Sequence, residues 1–280
     1  SGNLRQRIRD ASDKFAKLID DTKTVVIEFG HFGKERIKAF NVSPDAFVQL
    51  ALQLSQYRLF GELKSTYEVT VTRRFLHGRT ETLRTVSNEA LAFVKKMTAE
   101  KATAESKVAA LKTAAETHVT RMKACMAGMG VERHMFGLQS IYDRFGAELG
   151  INQMPAIFND RGWLRLRHDT LSTTSNPDPT GVVLSGFGPV VDDGFGICYT
   201  IIKDRITIVL GNVEMPVTRV PGDPRGFVCH RNHRRGHLGN VGGVHHLSAQ
   251  RHFPHVGALE KGNIFERFLN FYVVHDEIVA

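Results

Sequence analysis

The stretch NVSPDAFVQLALQLSQYRLFG, residues 41–61, constrains the fold more than any other part of the chain. Ser43 stands where an N-cap hydroxyl accepts from backbone amides, and Pro44 takes the first helical position, where no N–H is needed. Asp45 adds negative charge to the first turn. A long apolar run follows, so the segment predicts a well-defined helix. With 280 residues and 42% hydrophobic content, the chain can bury one large core or two modest ones.

Around this helix the pattern alternates between periods. Residues 4–20 carry apolar side chains at helical spacing and feed KTVVIEF at 23–29, which reads as a buried strand. Residues 66–75 are rich in β-branched and aromatic types and turn at Gly78 into a second extended stretch. Between Ser87 and Cys125, Ala, Lys, Glu and Thr predominate without Gly or Pro, which predicts one or two solvent-facing helices; 131–145 makes another. From Trp163 to Leu210 the sequence reads as strands, LRLRHDTLS, GVVLSGFGPVV, FGICYTII and RITIVLG, and so as an antiparallel or mixed sheet. Past about Glu214 the composition shifts, with eight of the thirteen histidines crowded among Gly and Arg. No internal repeat is visible.

Several function classes recede at this stage. No apolar run of about 18 residues suits a membrane span, and the first residues do not read as a signal peptide. A targeting peptide ahead of Ser1 remains compatible with this start. Three widely spaced cysteines, Cys125, Cys198 and Cys229, suggest free thiols in a reducing compartment. A net charge of +8 suits a polyanionic small molecule, an anionic surface or nucleic acid. No nucleic-acid recognition motif accompanies the charge, so no nucleic-acid partner is expected.

Four short blocks carry residue types suited to ligands. In FGKERIKAFNVSPDAF, Lys34 and Lys38 stand four apart, with Asp45 seven further on inside the helix start. Two ammonium groups on one side of a turn can clamp a phosphate, and a nearby helix amino end adds amide donors. In TYEVTVTRRFLHGRTETLR, the turn at Gly78 and Arg79 sets Tyr67 and Thr80 on adjacent strands. VERHMFGL puts Arg133 at a helix start beside His134. DTLSTTSNP and LSGFGPVVDDGFGICY supply the hydroxyls of Ser172, Thr173, Thr174 and Ser175, then Asn176, Ser185, Gly186, Phe187 and Val190. Taken singly, each is an ordinary surface or packing residue.

In this order and at this spacing, the four blocks resemble the carnitine/choline acyltransferase family over residues of about 15–210. The resemblance implies an α/β fold of the coenzyme A-dependent acyltransferase (chloramphenicol acetyltransferase-like) type, a mixed sheet with flanking helices, as part of a two-domain enzyme. It implies reversible acyl transfer between acyl-coenzyme A and carnitine, within fatty acid and lipid metabolism. Lys34 and Lys38 would hold the phosphate end of coenzyme A, with Ser43, Asp45 and Asn176 also on that substrate. Tyr67 and Thr80 would hydrogen-bond the carnitine carboxylate, and Arg133 would be the buried cation that a carnitine enzyme needs and a choline enzyme does not. Ser172 would line the same site, and Phe187 and Val190 would wall the trimethylammonium group.

Either Thr174 or Ser175 would stabilise the oxyanion, since Ser-Thr-Thr-Ser here is one residue longer than the family's Ser-Thr-Ser. Val69 stands where some members carry a further carnitine-binding Ser. The small Ser185 and Gly186 leave room for a medium or long acyl chain. The phosphate clamp and the arginine-centred pocket are expected to converge on one cleft.

The resemblance implies no metal or prosthetic group, coenzyme A being a substrate. Carnitine and acyl-coenzyme A are the expected partners. Membrane association of a full-length parent and a mitochondrial location complete the expectation, with peroxisomal or cytoplasmic placement as alternatives. The family's general base is a histidine that falls before the segment matching Lys34, and His31 is not assigned to that role. The chain is therefore expected to be a carboxyl-terminal half without its amino-terminal half; a non-catalytic ligand-binding remnant or a truncated gene product is the alternative reading. Residues 1–214 form the family portion and 215–280 a poorly ordered His/Gly/Arg-rich tail. Cys229, His230, His233 and His237 in that tail fit no zinc spacing, so no metal site is expected.

Overall fold

A computed structural model of the chain describes residues 2–176 and 180–213. The tail at 215–280, with Cys229 and its neighbouring histidines, lies outside the described residues. Along the chain run α1 (Gly2–Asp21), β1 (Thr22–Phe29), α2 (Lys34–Ala39), α3 (Pro44–Phe60), β2 (Thr66–Val71) and β3 (Thr80–Arg84). Then come α4 (Asn88–Thr98), α5 (Ala104–Met126), α6 (Glu132–Phe145), α7 (Arg161–Arg167), β4 (Leu171–Ser175), β5 (Phe195–Ile201) and β6 (Ile206–Val213).

The six strands form one mixed sheet in the order β1-β6-β5-β4-β2-β3. Strand β4 runs parallel to both β2 and β5, while the other pairs are antiparallel. This is the mixed α/β architecture that the sequence led us to expect.

Helix α3 sits at the centre. Ser43 Oγ accepts from the Ala46 amide at 3.4 Å, and Gly61 ends the helix in the left-handed region at φ 72°. The eleven residues Ala46 to Gln56 are all buried, because the sheet covers one side of α3 while α4 and α5 pack on the helix from elsewhere. Leu50, Leu52, Phe93, Ile197, Ile208 and Leu210 belong to this core. Its interior also holds polar groups, which must pair with one another.

Four local expectations are corrected. Helices α4 and α5 do not simply face solvent: Ala90, Phe93, Val94 and Met97 of α4 and Leu111, Ala114 and Ala115 of α5 enter the core. Strand β1 is an edge strand in which only Ile27 and Phe29 are buried, since β6 pairs it on one side alone. The LRLR of LRLRHDTLS belongs to helix α7, because the Asp160 carboxylate accepts from the amides of Gly162 and Trp163 and starts a turn there. GVVLSGFGPVV forms no strand. The chain near Phe187 lies across the sheet instead of within it: a Cβ on Gly196 would meet the Phe187 carbonyl oxygen at 2.3 Å, and one on Gly211 would meet it at 2.6 Å. Two glycines on adjacent strands thus admit that crossing.

Cys125 and Cys198 are buried free thiols. Among the described residues, no helix is long and apolar enough to cross a membrane.

Candidate active site

Strand pleating sorts the polar side chains onto two faces. Tyr67 pairs with Arg84 and Ser172, and Thr80 pairs with Val71. Alternation therefore puts Tyr67, Thr80, Arg84, Ser172 and Thr174 on the face away from α3. Glu68, Thr173, Ser175 and Tyr199 fall on the helix-covered face.

On the open face three expected residues meet. Arg133 Nη2 donates to Tyr67 Oη at 3.2 Å and to Thr80 Oγ1 at 3.5 Å. The guanidinium keeps further donors directed elsewhere, so this group can receive an anion with bidentate geometry. Arg133 is exposed, not buried as the sequence suggested, because α6 lies over the sheet edge with Glu132 as its only buried residue. Ser172 is buried and Thr174 half-buried beside Tyr67. The register partner of Ser172 is Gly196, over which the Phe187 carbonyl lies. Phe187 is half-buried, whereas Val190 is 57% exposed. A Cβ on Gly186 would lie 2.6 Å from Val209 Cγ1, so packing against β6 already accounts for the missing side chain there.

The lysine group lies on the helix side. The Lys34 amide donates to the Ile202 carbonyl at 2.8 Å, which ties the start of α2 to the β5–β6 turn. Lys34 and Lys38 are exposed one helical turn apart, and Ser43 and Asp45 open α3 just beyond. Asn176 follows β4, its amide donating to the Tyr199 carbonyl at 2.8 Å and its Nδ2 to the Val182 carbonyl at 2.6 Å. The lysines and the Arg133 group therefore do not share one face, contrary to the expectation of a single cleft. The lysines stand on α2, which packs with α3 through Ile37, whereas Arg133 reaches the Tyr67 side of the sheet.

Beneath the sheet lies a buried polar network that sequence reasoning missed. Tyr199 Oη donates to Asp45 Oδ1 at 2.6 Å. Gln49 Nε2 donates to Tyr199 Oη at 3.0 Å and to Thr173 Oγ1 at 2.8 Å, and Thr173 Oγ1 donates to the Tyr67 carbonyl at 2.8 Å. His118 Nε2 lies 3.4 Å from both Asp45 Oδ2 and Glu68 Oε2. Burial, then the charge and hydrogen bond of Asp45, push the Glu68 carboxyl well above its ordinary value. Burial also raises Asp45, but hydrogen bonds from His118, Tyr199 and Glu68 outweigh it and leave that carboxyl lowered. Tyr199 is pushed well up by burial and by the two carboxyls. Asp45 is thus the anion of the pair and Glu68 its proton-bearing partner.

Asp45, Glu68 and His118 bring their ligand atoms within 4.8 Å of one another, a donor set that could hold a metal. Within the cluster the Tyr199 hydroxyl bonds Asp45, His118 lies beside both carboxyls, and burial and Asp45 raise the Glu68 carboxyl. No local signal marks it: Glu68 alternates with Thr66 and Thr70 as on a solvated face, and His118 sits in an Ala/Lys-rich run.

A six-stranded mixed sheet with flanking helices is consistent with the acyltransferase type of α/β fold that the sequence resemblance implied. The sequence profile of the choline/carnitine O-acyltransferase family matches residues 1–220, a little past the boundary expected at 214, and the chain belongs to that family. It is 38% identical over 205 residues to a carnitine O-acetyltransferase of Rattus norvegicus, covering 72% of this chain and 32% of that protein. A putative mitochondrial carnitine O-acetyltransferase of Saccharomyces cerevisiae is 31% identical over 217 residues, covering 77% and 31%. A choline O-acetyltransferase of Danio rerio is 36% identical over 207 residues, covering 74% and 32%. The chain thus spans about a third of the length of these relatives.

Proposed function

We propose that this chain forms the substrate-holding part of a carnitine O-acyltransferase, which moves an acyl group reversibly between coenzyme A and carnitine. The observation that carries this reading is the meeting of Arg133 with the hydroxyls of Tyr67 and Thr80. A guanidinium flanked by two hydroxyl groups suits a carboxylate, which carnitine has and choline lacks. The similarity to choline acetyltransferases is therefore one of family, and this group favours carnitine. Ser172, Phe187 and Val190 border the same substrate.

Lys34 and Lys38 hold the phosphate end of coenzyme A, with Ser43, Asp45 and Asn176 along its path. A long, flexible substrate suits two groups on opposite sides of a sheet, since it can run past the sheet's end. Thr174 stabilises the oxyanion in preference to Ser175, because strand alternation groups Thr174 with Tyr67 and Ser172, while Ser175 is exposed on the opposite face at the end of β4. The name of the yeast relative supports a mitochondrial location.

Calorimetric titration of the chain with carnitine and, separately, with coenzyme A tests the assignment. Arg133→Asn should weaken carnitine about tenfold or more while sparing coenzyme A, the loss expected when a hydrogen bond to a charged group is removed. The double variant Lys34→Ala, Lys38→Ala should do the reverse. Equal loss of both ligands in either variant refutes the reading.

A further inference from the structure

Helix α6 carries Arg133 yet has almost no apolar anchorage, since Glu132 is the single buried residue it contributes. Its first turn also lacks an ordinary cap: Val131 offers no side-chain acceptor. Strand β3 makes up both deficits. Glu81, 5% exposed, accepts the Arg133 amide at 3.2 Å and the Thr82 amide at 2.7 Å through the same Oε1. The carboxylate thus caps α6 from a distant segment and places negative charge at the helix start.

Space for it depends on Gly130. A Cβ there would stand 2.2 Å from Glu81 Cγ and 2.5 Å from Cδ, so any side chain at 130 displaces the Glu81 carboxylate from its place.

Three residues along the same strand, Arg84 grips the neighbouring helix residue. Its Nε donates to Glu132 Oε2 at 2.6 Å and its Nη2 to Glu132 Oε1, a bidentate pair. Nη1 reaches Asp169 ahead of β4 and Ser65 Oγ, the latter at 3.2 Å. The Arg84 guanidinium also lies 6.0 Å from the centre of the Tyr67 ring. Strand β3 thus holds residues 132 and 133 by one side chain and one main-chain amide, and itself supplies Thr80.

We propose that Glu81 and Arg84 are positioning residues that pin the first turn of α6 to β3, so that the Arg133 guanidinium reaches Tyr67 and Thr80. They set affinity for a carboxylate-bearing substrate without touching it. The inference rests on the reading that the Arg133 group receives the carnitine carboxylate.

Three variants test it. Glu81→Ala removes the distal cap, Gly130→Ala displaces it without changing any charge, and Arg84→Lys keeps the charge but loses the bidentate grip. Glu81→Gln retains an acceptor oxygen and serves as the conservative rescue. Carnitine and coenzyme A affinities are read by calorimetry, and amide hydrogen exchange reports the first turn of α6 against α3. In each of the three, carnitine affinity should fall about tenfold, as for a lost hydrogen bond to a charged group, with coenzyme A changed less than about twofold. Exchange should quicken at residues 132–136 and stay unchanged in α3, and Glu81→Gln should recover most of the affinity. Folded variants that bind carnitine as tightly as the unmodified chain, or that protect α6 equally well, overturn the inference alone. An unmodified chain that binds no carnitine overturns the carboxylate reading and the inference with it.

Discussion

Replacing Glu68 by Gln should abolish a pH dependence of folding that the raised Glu68 carboxyl imposes on the unmodified chain. Glu68 is 4% exposed on β2, with His118 Nε2 3.4 Å from its Oε2. Burial, then Asp45, raises its carboxyl well above the ordinary 4.5. Above pH 4.5 the unfolded chain releases this proton while the folded chain retains it. Folded protein then binds one proton more than unfolded, so stability falls as pH rises, by about 1.4 kcal/mol per pH unit. The contribution is complete below 4.5 and gone once pH has passed the raised folded-state value.

Asp45 acts with the opposite sign. Burial raises it, but its hydrogen bonds prevail and bring it below the ordinary 3.8. Its contribution is present above 3.8 and is lost as pH falls through the lowered value, so the two carboxyls act in separate windows. An amide matches the neutral acid in shape, keeps a donor towards Asp45 and does not titrate. Asp45, His118 and Tyr199 are present in both proteins, so the difference between them reports Glu68 together with its linkage to these three. Urea unfolding followed by circular dichroism from about pH 4.5 to 8 gives the two stability curves. The stability of the unmodified chain minus that of Glu68→Gln should decline at about 1.4 kcal/mol per pH unit and then level off. A difference independent of pH would refute a raised Glu68 carboxyl.

Two further substitutions probe the frame around the site. Gly33→Ala would set a Cβ 2.3 Å from the Ile202 carbonyl oxygen and 2.5 Å from the Arg205 amide nitrogen, both backbone atoms. It should lower stability by about 1–3 kcal/mol in urea unfolding and, by shifting Lys34, weaken coenzyme A more than carnitine. Phe93→Ala empties a position 1% exposed between α4 and the core. It should lower stability by about 3–5 kcal/mol in the same assay, the range for a buried aromatic.

Much of the fold is legible along the chain because its signals are local. The Ser43 cap and Pro44 of α3 are adjacent, and the turn between β2 and β3 is equally local. The Arg133 group was also legible, through four blocks whose order resembles a family. Local pattern misled where a contact from elsewhere outranked it. The alternation in LRLRHDTLS yielded to the Asp160 cap, and the Gly- and Pro-rich run near Phe187 crosses the sheet where it reads as a strand.

Near neighbours along the chain mark most of the helices and the residue types suited to ligands, since caps, turns and periodicity act locally; α7 is the exception. Tertiary structure alone decided which side of each strand is covered. In β2 it buries Thr66, Glu68 and Thr70 and leaves Tyr67 and Val69 only half-covered, the reverse of what alternating hydrophobicity suggests. It also decided that Asp45 would meet His118 from 73 residues away and Tyr199 from 154. A raised carboxyl such as that of Glu68 depends on burial and on distances of a few ångströms, and no run of adjacent residues encodes either.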